Sequence, residues 1–330
     1  MPQRFHAPPT VAVLALATIA ATVLSIFIGA RPTGFTTVLH SLGGTPADPS
    51  LHTILWSYRI PRTLAATACG VALAVAGGLA QTWTRNPLAD PGIIGITFGA
   101  AFAVALGATL GVDSSTVRLL LAILGATAAA ALTLFLVRNA DDNLALILVG
   151  TGVSASLSAL TTILALQTSR TLEILRHWTI GSTSGTTGGD LGVLSVGLVV
   201  GLLITAQVAR PMDLIAMGDG VSTTLGSDPR RTRLLAATAI VVLCAGATVA
   251  VGPVAFVGLA GPHIARSLVG PSLTVCLPVA ALVGALLTLG ADMAGRVLLR
   301  PGEVEFSVIL AFIGAPLLIA VIRRGKLETL

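Results

Sequence analysis

The sequence predicts an all-α fold, a polytopic membrane helix bundle of about ten transmembrane helices, and three observations predict it. Hydrophobic residues make up 54% of the 330 residues, with a mean hydropathy of +0.94. Charged residues make up 10%, against about 25% in a soluble domain. The apolar residues gather into blocks of about 20, the length that carries an α-helix across a ~30 Å hydrocarbon core.

Ten blocks follow in order: 11–30, 63–84, 92–111, 117–137, 144–167, 191–209, 233–252, 253–269, 275–298 and 304–322. Arg4 precedes the first, and Ile28-Gly29-Ala30 loosely resembles a cleavage site, but the apolar run outlasts a signal-peptide core and is read as a span. The second opens on Arg59-Ile60-Pro61-Arg62 and closes at Asn86-Pro87-Leu88-Ala89-Asp90-Pro91-Gly92. There Asn86, Pro87, Asp90 and Pro91 spell a turn, with Asp90 placed to cap a helix starting near Gly92. The third carries Gly99, Ala103, Gly107 and Gly111 at four-residue spacing, and the sixth carries Gly197 and Gly201. Small residues so spaced let helices approach closely, which matters where lipid removes the hydrophobic drive. In the fifth, Ser154, Ser158 and Thr162 share a face that lines a polar path or hydrogen-bonds a neighbour, the second being the commoner use. Gly252-Pro253 and Gly261-Pro262 predict that the eighth is broken or re-entrant, which only protein or water can cover.

An even number of spans puts both termini on one side. Arg323, Arg324 and Lys326 after the last span, with Arg210, Arg230, Arg231 and Arg233 around the loop after the sixth, make that side cytoplasmic. On this topology 11 basic residues lie inside and 8 outside, and five of the outer eight fall in 31–62 and 296–300. That local excess against the usual bias calls for a function.

Several classes are excluded. The net charge is +5, but no basic stripe lies on a soluble face, so nucleic acid is no partner. There is no GxxxxGK[ST] loop, and Lys326 is the only lysine, so the chain does not hydrolyse ATP in the Walker manner. No HExxH, CxxC pair or nucleophile elbow occurs, and the five histidines share no metal-ligand spacing, so neither catalytic residues, a metal nor a cofactor is expected. Cys69, Cys244 and Cys276 sit in apolar runs as small buried hydrophobes. Carboxylates cluster at span ends, where a proton-driven carrier would place one in mid-span.

Four blocks carry a resemblance. Arg59-Ile60-Pro61-Arg62-Thr63-Leu64, Gly77-Gly78-Leu79-Ala80-Gln81 and Arg85-Asn86-Pro87-Leu88-Ala89-Asp90-Pro91 come first. Gly252-Pro253-Val254-Ala255-Phe256-Val257-Gly258-Leu259 with Pro262-His263-Ile264-Ala265-Arg266 follows, then Ala291-Asp292 with Arg296, and Gly314-Ala315-Pro316. In this order they resemble the permeases of iron–siderophore and cobalamin ABC importers. The resemblance implies a type II importer permease, a single transmembrane domain over 1–330. Its implied partners are cytoplasmic ATPase subunits, an extracytoplasmic substrate-binding protein and a second permease subunit, with a different second chain favoured over a copy. Cargo would be a ferric siderophore, with cobalamin or haem as alternatives within the family and a stand-alone secondary carrier as the alternative outside it.

The resemblance also assigns sites. Arg59, Arg62 and Arg296 match positions that meet acidic residues of the binding protein, as guanidinium forks suit carboxylates. Headgroup anchoring, helix capping and, for Arg296, an i,i+4 pair with Asp292 are their alternative roles. The loop 210–233 resembles a coupling element that seats on the ATPase: Asp213, Leu214, Ala216, Met217, Gly218, Asp219, Leu225 and Gly226, read as two short helices joined at Gly218. Gly220 and Thr223 depart from the family pattern, where an acid and a base are usual. Glu305 stands where the family has proline, and a salt bridge to Arg296 or Arg300 is its expected role.

Overall fold

The computed structural model describes residues 7–30, 33–43, 49–112, 114–138, 143–169, 171–172 and 180–323, and no strand occurs among them. In chain order the helices are α1 Ala7–Phe27, α2 Phe35–Leu42, α3 Pro49–Thr53, a π-helical link Ile54–Arg59, and α4 Ile60–Thr84. A 3-10 turn Pro91–Ile94 leads to α5 Ile96–Thr109, α6 Ser115–Val137 and α7 Asn143–Gln167. Then come α8 Gly188–Ala216, α9 Asp219–Thr224, α10 Pro229–Val251, α11 Val257–Val269, α12 Leu273–Leu298 and α13 Phe306–Arg323. Among the described residues, seven stretches are long and apolar enough to cross a membrane: α1, α4 with the helices leading into it, α6, α7, α8, α10 and α12. The other three predicted spans correspond to α5, α11 and α13. The protein is thus an all-α, multi-pass membrane protein.

Helix α4 is the hub. It packs against α8, α10, α11 and α12. Its Ala- and Gly-rich sequence is buried on nearly every face, as expected of a helix small and apolar all round. A Cβ on Gly70 would lie 2.3 Å from the Gly284 carbonyl, and one on Gly284 would lie 2.2 Å from that of Gly70, so α4 and α12 cross backbone to backbone. Gly99 and Gly125 do the same for α5 and α6, where Ala103 abuts Gly125 and Gly107 abuts Leu121, as the four-residue stripe predicts. Gly197 and Gly201 meet Gly246 and Leu243 of α10. Gly111 is different: it faces open space with φ +80° and ends the helix.

Three predicted elements are corrected. The third span starts later, because Asp90 caps the 3-10 turn and Gly95, at φ +83°, separates it from α5. The eighth is not interrupted at Gly261-Pro262; α11 runs straight through Pro262. Proline removes the N–H that would bond the carbonyl four residues back, and Gln81 Nε2 donates to that Gly258 carbonyl instead, at 3.3 Å. The sixth span continues through Pro211 to Ala216.

At 14 and 13 residues, α5 and α11 are each about 20 Å long. Both are preceded by backbone outside the α-helices, 85–95 and 252–256; the two segments line one cavity, and Pro91 of the first abuts Gly258 in the first turn of α11, beside Leu73. Irregular backbone is tolerated there because protein covers it.

Candidate functional site

Arg59, Arg62 and Arg296 come together at one end of the bundle, from the link before α4, the first turn of α4 and the last turn of α12. All three are buried, 5%, 8% and 1% exposed. The centre is Asp292, fully buried. Its Oδ1 accepts from Arg62 Nε and from Thr183 Oγ1, both at 2.8 Å, and its Oδ2 accepts from Arg296 Nη2. Arg62 Nη1 reaches out to Glu303, whose side chain is 31% exposed, at 2.5 Å. The i,i+4 pair of Asp292 with Arg296 is therefore present.

A second task of these arginines is to close helix α1. The last carbonyls of a helix have no partner within it, and cations at that end also oppose the helix dipole. Arg296 Nη1 donates to Ser25 O at 2.8 Å and Ile28 O at 3.0 Å. Arg59 Nη1 donates to Ile26 O and Phe27 O, each at 3.2 Å, and to Thr33 Oγ1. Arg300 Nη2 donates to Gly29 O at 2.9 Å. A Cβ on Gly29 would lie 2.3 Å from the Arg59 guanidinium, so glycine there admits the arginine. Four guanidiniums and two carboxylates leave this cluster with a positive surplus, and Arg300 and Glu303 are its exposed members.

Thr183 and Glu303 were missed by the sequence reading, and Arg300 was named only as a partner for Glu305. The acid beside the arginines is Glu303. Glu305 stands at the head of α13, its carbonyl accepting from Val308 and Ile309 N–H. A usable signal for Glu303 was its rarity, one of 14 acids in the chain and three residues from Arg300.

The 210–233 loop lies at the opposite end. The expected pair of short helices is one: Asp213, Leu214 and Ala216 belong to the last turns of α8, and only α9 is separate. Gly218 joins them at φ +117°, a conformation that favours glycine, while Gly226 follows α9 at φ +80°. Met217, Val221 and Leu225 are exposed, 68%, 41% and 61%, at four-residue spacing around the joint. The side chain of Asp219 lies outside the described residues. Asp213 faces inward: its carboxylate accepts from the N–H groups of Leu273 and Thr274 at 2.6 and 3.3 Å and from the hydroxyls of Ser272 and Thr274. It thereby caps α12, whose own Ser272 makes no side-chain cap. Arg85 Nη2 donates to Ile215 O at 2.8 Å and ties the same turn of α8 to the end of α4.

The predicted turn is built as its residues dictate. Asn86 Oδ1 accepts from Leu88 N at 2.9 Å and Asp90 Oδ1 from Gly92 N at 2.8 Å. Asp90, Ser154 and Ser158 line a cavity of about 810 Å³ with Thr151 and Thr248, while Thr162 turns back to the Ser158 carbonyl of its own helix. Gln81 and Arg266 form a further buried polar pair, Arg266 Nη2 donating to Gln81 Oε1. Among the described residues no group of three or more His, Cys, Asp or Glu could hold a metal ion.

Membrane-crossing helices around a buried ionic knot at one end and an exposed apolar joint at the other, with a mostly apolar cavity carrying a few polar side chains between, make a transport permease. The FecCD transport family model matches residues 17–324, and the chain belongs to that family. It is 41% identical over 315 residues to the ferric enterobactin transport system permease protein FepD of Escherichia coli strain K12, covering 94% of each chain. It is 34% identical over 278 residues to the ferric enterobactin permease protein FepG of the same organism, covering 84% of each. A solved structure, described as an inward-facing conformation of a metal-chelate type ABC transporter, matches with a TM-score of 0.86 at 28% identity, over 96% of this chain and 99% of that one.

Proposed function

We propose that this chain is the membrane permease of an ATP-driven importer for ferric-siderophore chelates, moving cargo from a binding protein by alternating access. Membership in the FecCD family and 41% identity to a ferric enterobactin permease carry the reading. The whole chain acts as one permease domain without covalent chemistry. The arginine end faces outward and both termini lie in the cytoplasm.

The positive surplus of the arginine cluster supports docking of an acidic delivery protein, since complementary charge steers and orients association. Arg59, Arg62 and Arg296 together build the docking site of this reading. Arg59 and Arg296 hold the rim in shape through α1, while the outward edge of Arg62 and the exposed Arg300 meet partner carboxylates. At the other end, the exposed trio Met217, Val221 and Leu225 supports seating on an ATPase. Apolar side chains on a charged loop are covered by a partner more readily than by water. Leu214, Ala216, Gly218, Asp219 and Gly226 shape that seat, and Asp213 transmits its movement to α12. A second, different permease completes the pore. Two distinct ferric enterobactin permeases in one organism, both similar to this chain, support that pairing.

The test is reconstitution in proteoliposomes with a candidate ATPase and a candidate binding protein. Expected is ATP hydrolysis stimulated by the loaded binding protein, together with uptake of radioactive iron supplied as a ferric siderophore. Uptake at full rate without the ATPase would make the chain a secondary carrier and overturn the reading.

A further inference from the structure

We propose that Glu303 is an internal stand-in for the binding protein's carboxylate: it occupies the outward edge of Arg62 at rest and is displaced on docking. This rests on the docking reading above. The two edges of the Arg62 guanidinium have different partners. Its Nε is held at 2.8 Å by Asp292, which is fully buried and anchored in turn by Thr183 and Arg296. Its Nη1 is taken by Glu303, an exposed residue on the connection between α12 and α13. The inner contact fixes the guanidinium in place, so losing the outer one does not let the side chain collapse. An exposed acid on a loop is held by an ion pair of modest strength in water, which an incoming carboxylate of matching geometry can replace. With Glu303 in place, the mouth presents a satisfied, less positive surface. With it displaced, Arg62 offers a fixed donor edge. Binding energy is thus spent on exchanging one carboxylate for another, which keeps the complex releasable.

The experiment measures affinity of the siderophore-loaded binding protein for the assembled transporter in nanodiscs, by surface-based kinetics. Four permeases are compared: wild type, Glu303→Gln, Glu305→Gln and Arg62→Lys, together with the Arg62→Lys, Glu303→Gln double variant. Glu303→Gln is expected to tighten binding roughly two- to five-fold, the scale of a half-exposed ion pair removed. Glu305→Gln removes the same charge two residues away and is expected to change affinity by less than half that factor. Arg62→Lys keeps a charge for Asp292 but loses the planar fork; it weakens binding, and in its background Glu303→Gln brings no gain, the non-additivity expected of contacting residues. Equal gains from Glu303→Gln and Glu305→Gln, or no gain from Glu303→Gln while Arg62→Lys weakens binding, overturn the stand-in and leave docking by Arg62 intact. Unchanged binding in Arg62→Lys overturns docking by Arg62 and the stand-in with it.

Discussion

Asp292 holds two arginines and a threonine with one carboxylate, and it is fully buried. A buried ion pair gains little over a well-packed apolar core, but removing one partner strands the other charge. Asp292→Ala therefore leaves Arg296 without its carboxylate and Arg62 with Glu303 alone, and is expected to cost about 3–5 kcal/mol. Thr183→Val, which deletes one neutral donor, is expected to cost about 1 kcal/mol. Thermal unfolding of the purified protein in detergent checks both, and equal midpoints for the two variants would refute Asp292 as the keystone. The sequence drew attention to Arg59, Arg62 and Arg296 because arginine is conspicuous at the mouth of apolar spans. Apart from the i,i+4 pair of Arg296 with Asp292, their partners were illegible: Asp292 lies 230 positions from Arg62, and Ser25 lies 271 from Arg296. Only folding brings backbone carbonyls of α1 to a guanidinium on α12.

Helix contacts here depend on missing side chains. A Cβ on Gly77 would lie 1.8 Å from the Gly258 carbonyl, and backbone cannot yield as a flexible side chain can. Gly77→Ala is expected to destabilise the α4–α11 contact by about 1–3 kcal/mol, the scale of overpacking. Gly290→Ala, facing open space on α12, is expected to be neutral or slightly stabilising. Loss of a monodisperse peak after mild heating in the first variant and its retention in the second is the readout. The spacing of Gly99, Ala103 and Gly107 announced a packing face because period alone defines one. The course of α11 was not legible from its prolines: Gly261-Pro262 reads as a break until Gln81 is seen to satisfy the freed carbonyl.

Asp213 makes a similar point about element ends. It caps α12 from α8 across 60 positions, so Asp213→Ala is expected to lower stability by about 1–2 kcal/mol, as for a lost N-cap, with Asp213→Asn recovering most of it. Unchanged unfolding midpoints combined with lost ATPase association would place its role at the surface instead.

On the scale of the molecule, composition and hydropathy determined by themselves that the chain is a multi-pass helical bundle, and four short blocks identified its family. Both properties are local: 20 apolar residues demand burial in lipid wherever they occur, and a motif is read in one pass. The short α5 and α11, the inward-turned segments before them and the ionic knot beneath the mouth were decided only by tertiary structure. Each depends on what residues distant in sequence place opposite a carbonyl or a charge. Low-dielectric surroundings make those pairings obligatory, since a buried polar group without a partner costs more than the contact gains. Sequence thus determined where the chain is apolar and which arginines stand out; the fold decided that those arginines first hold the protein together, leaving the Glu303 edge of Arg62 and the exposed Arg300 for a partner.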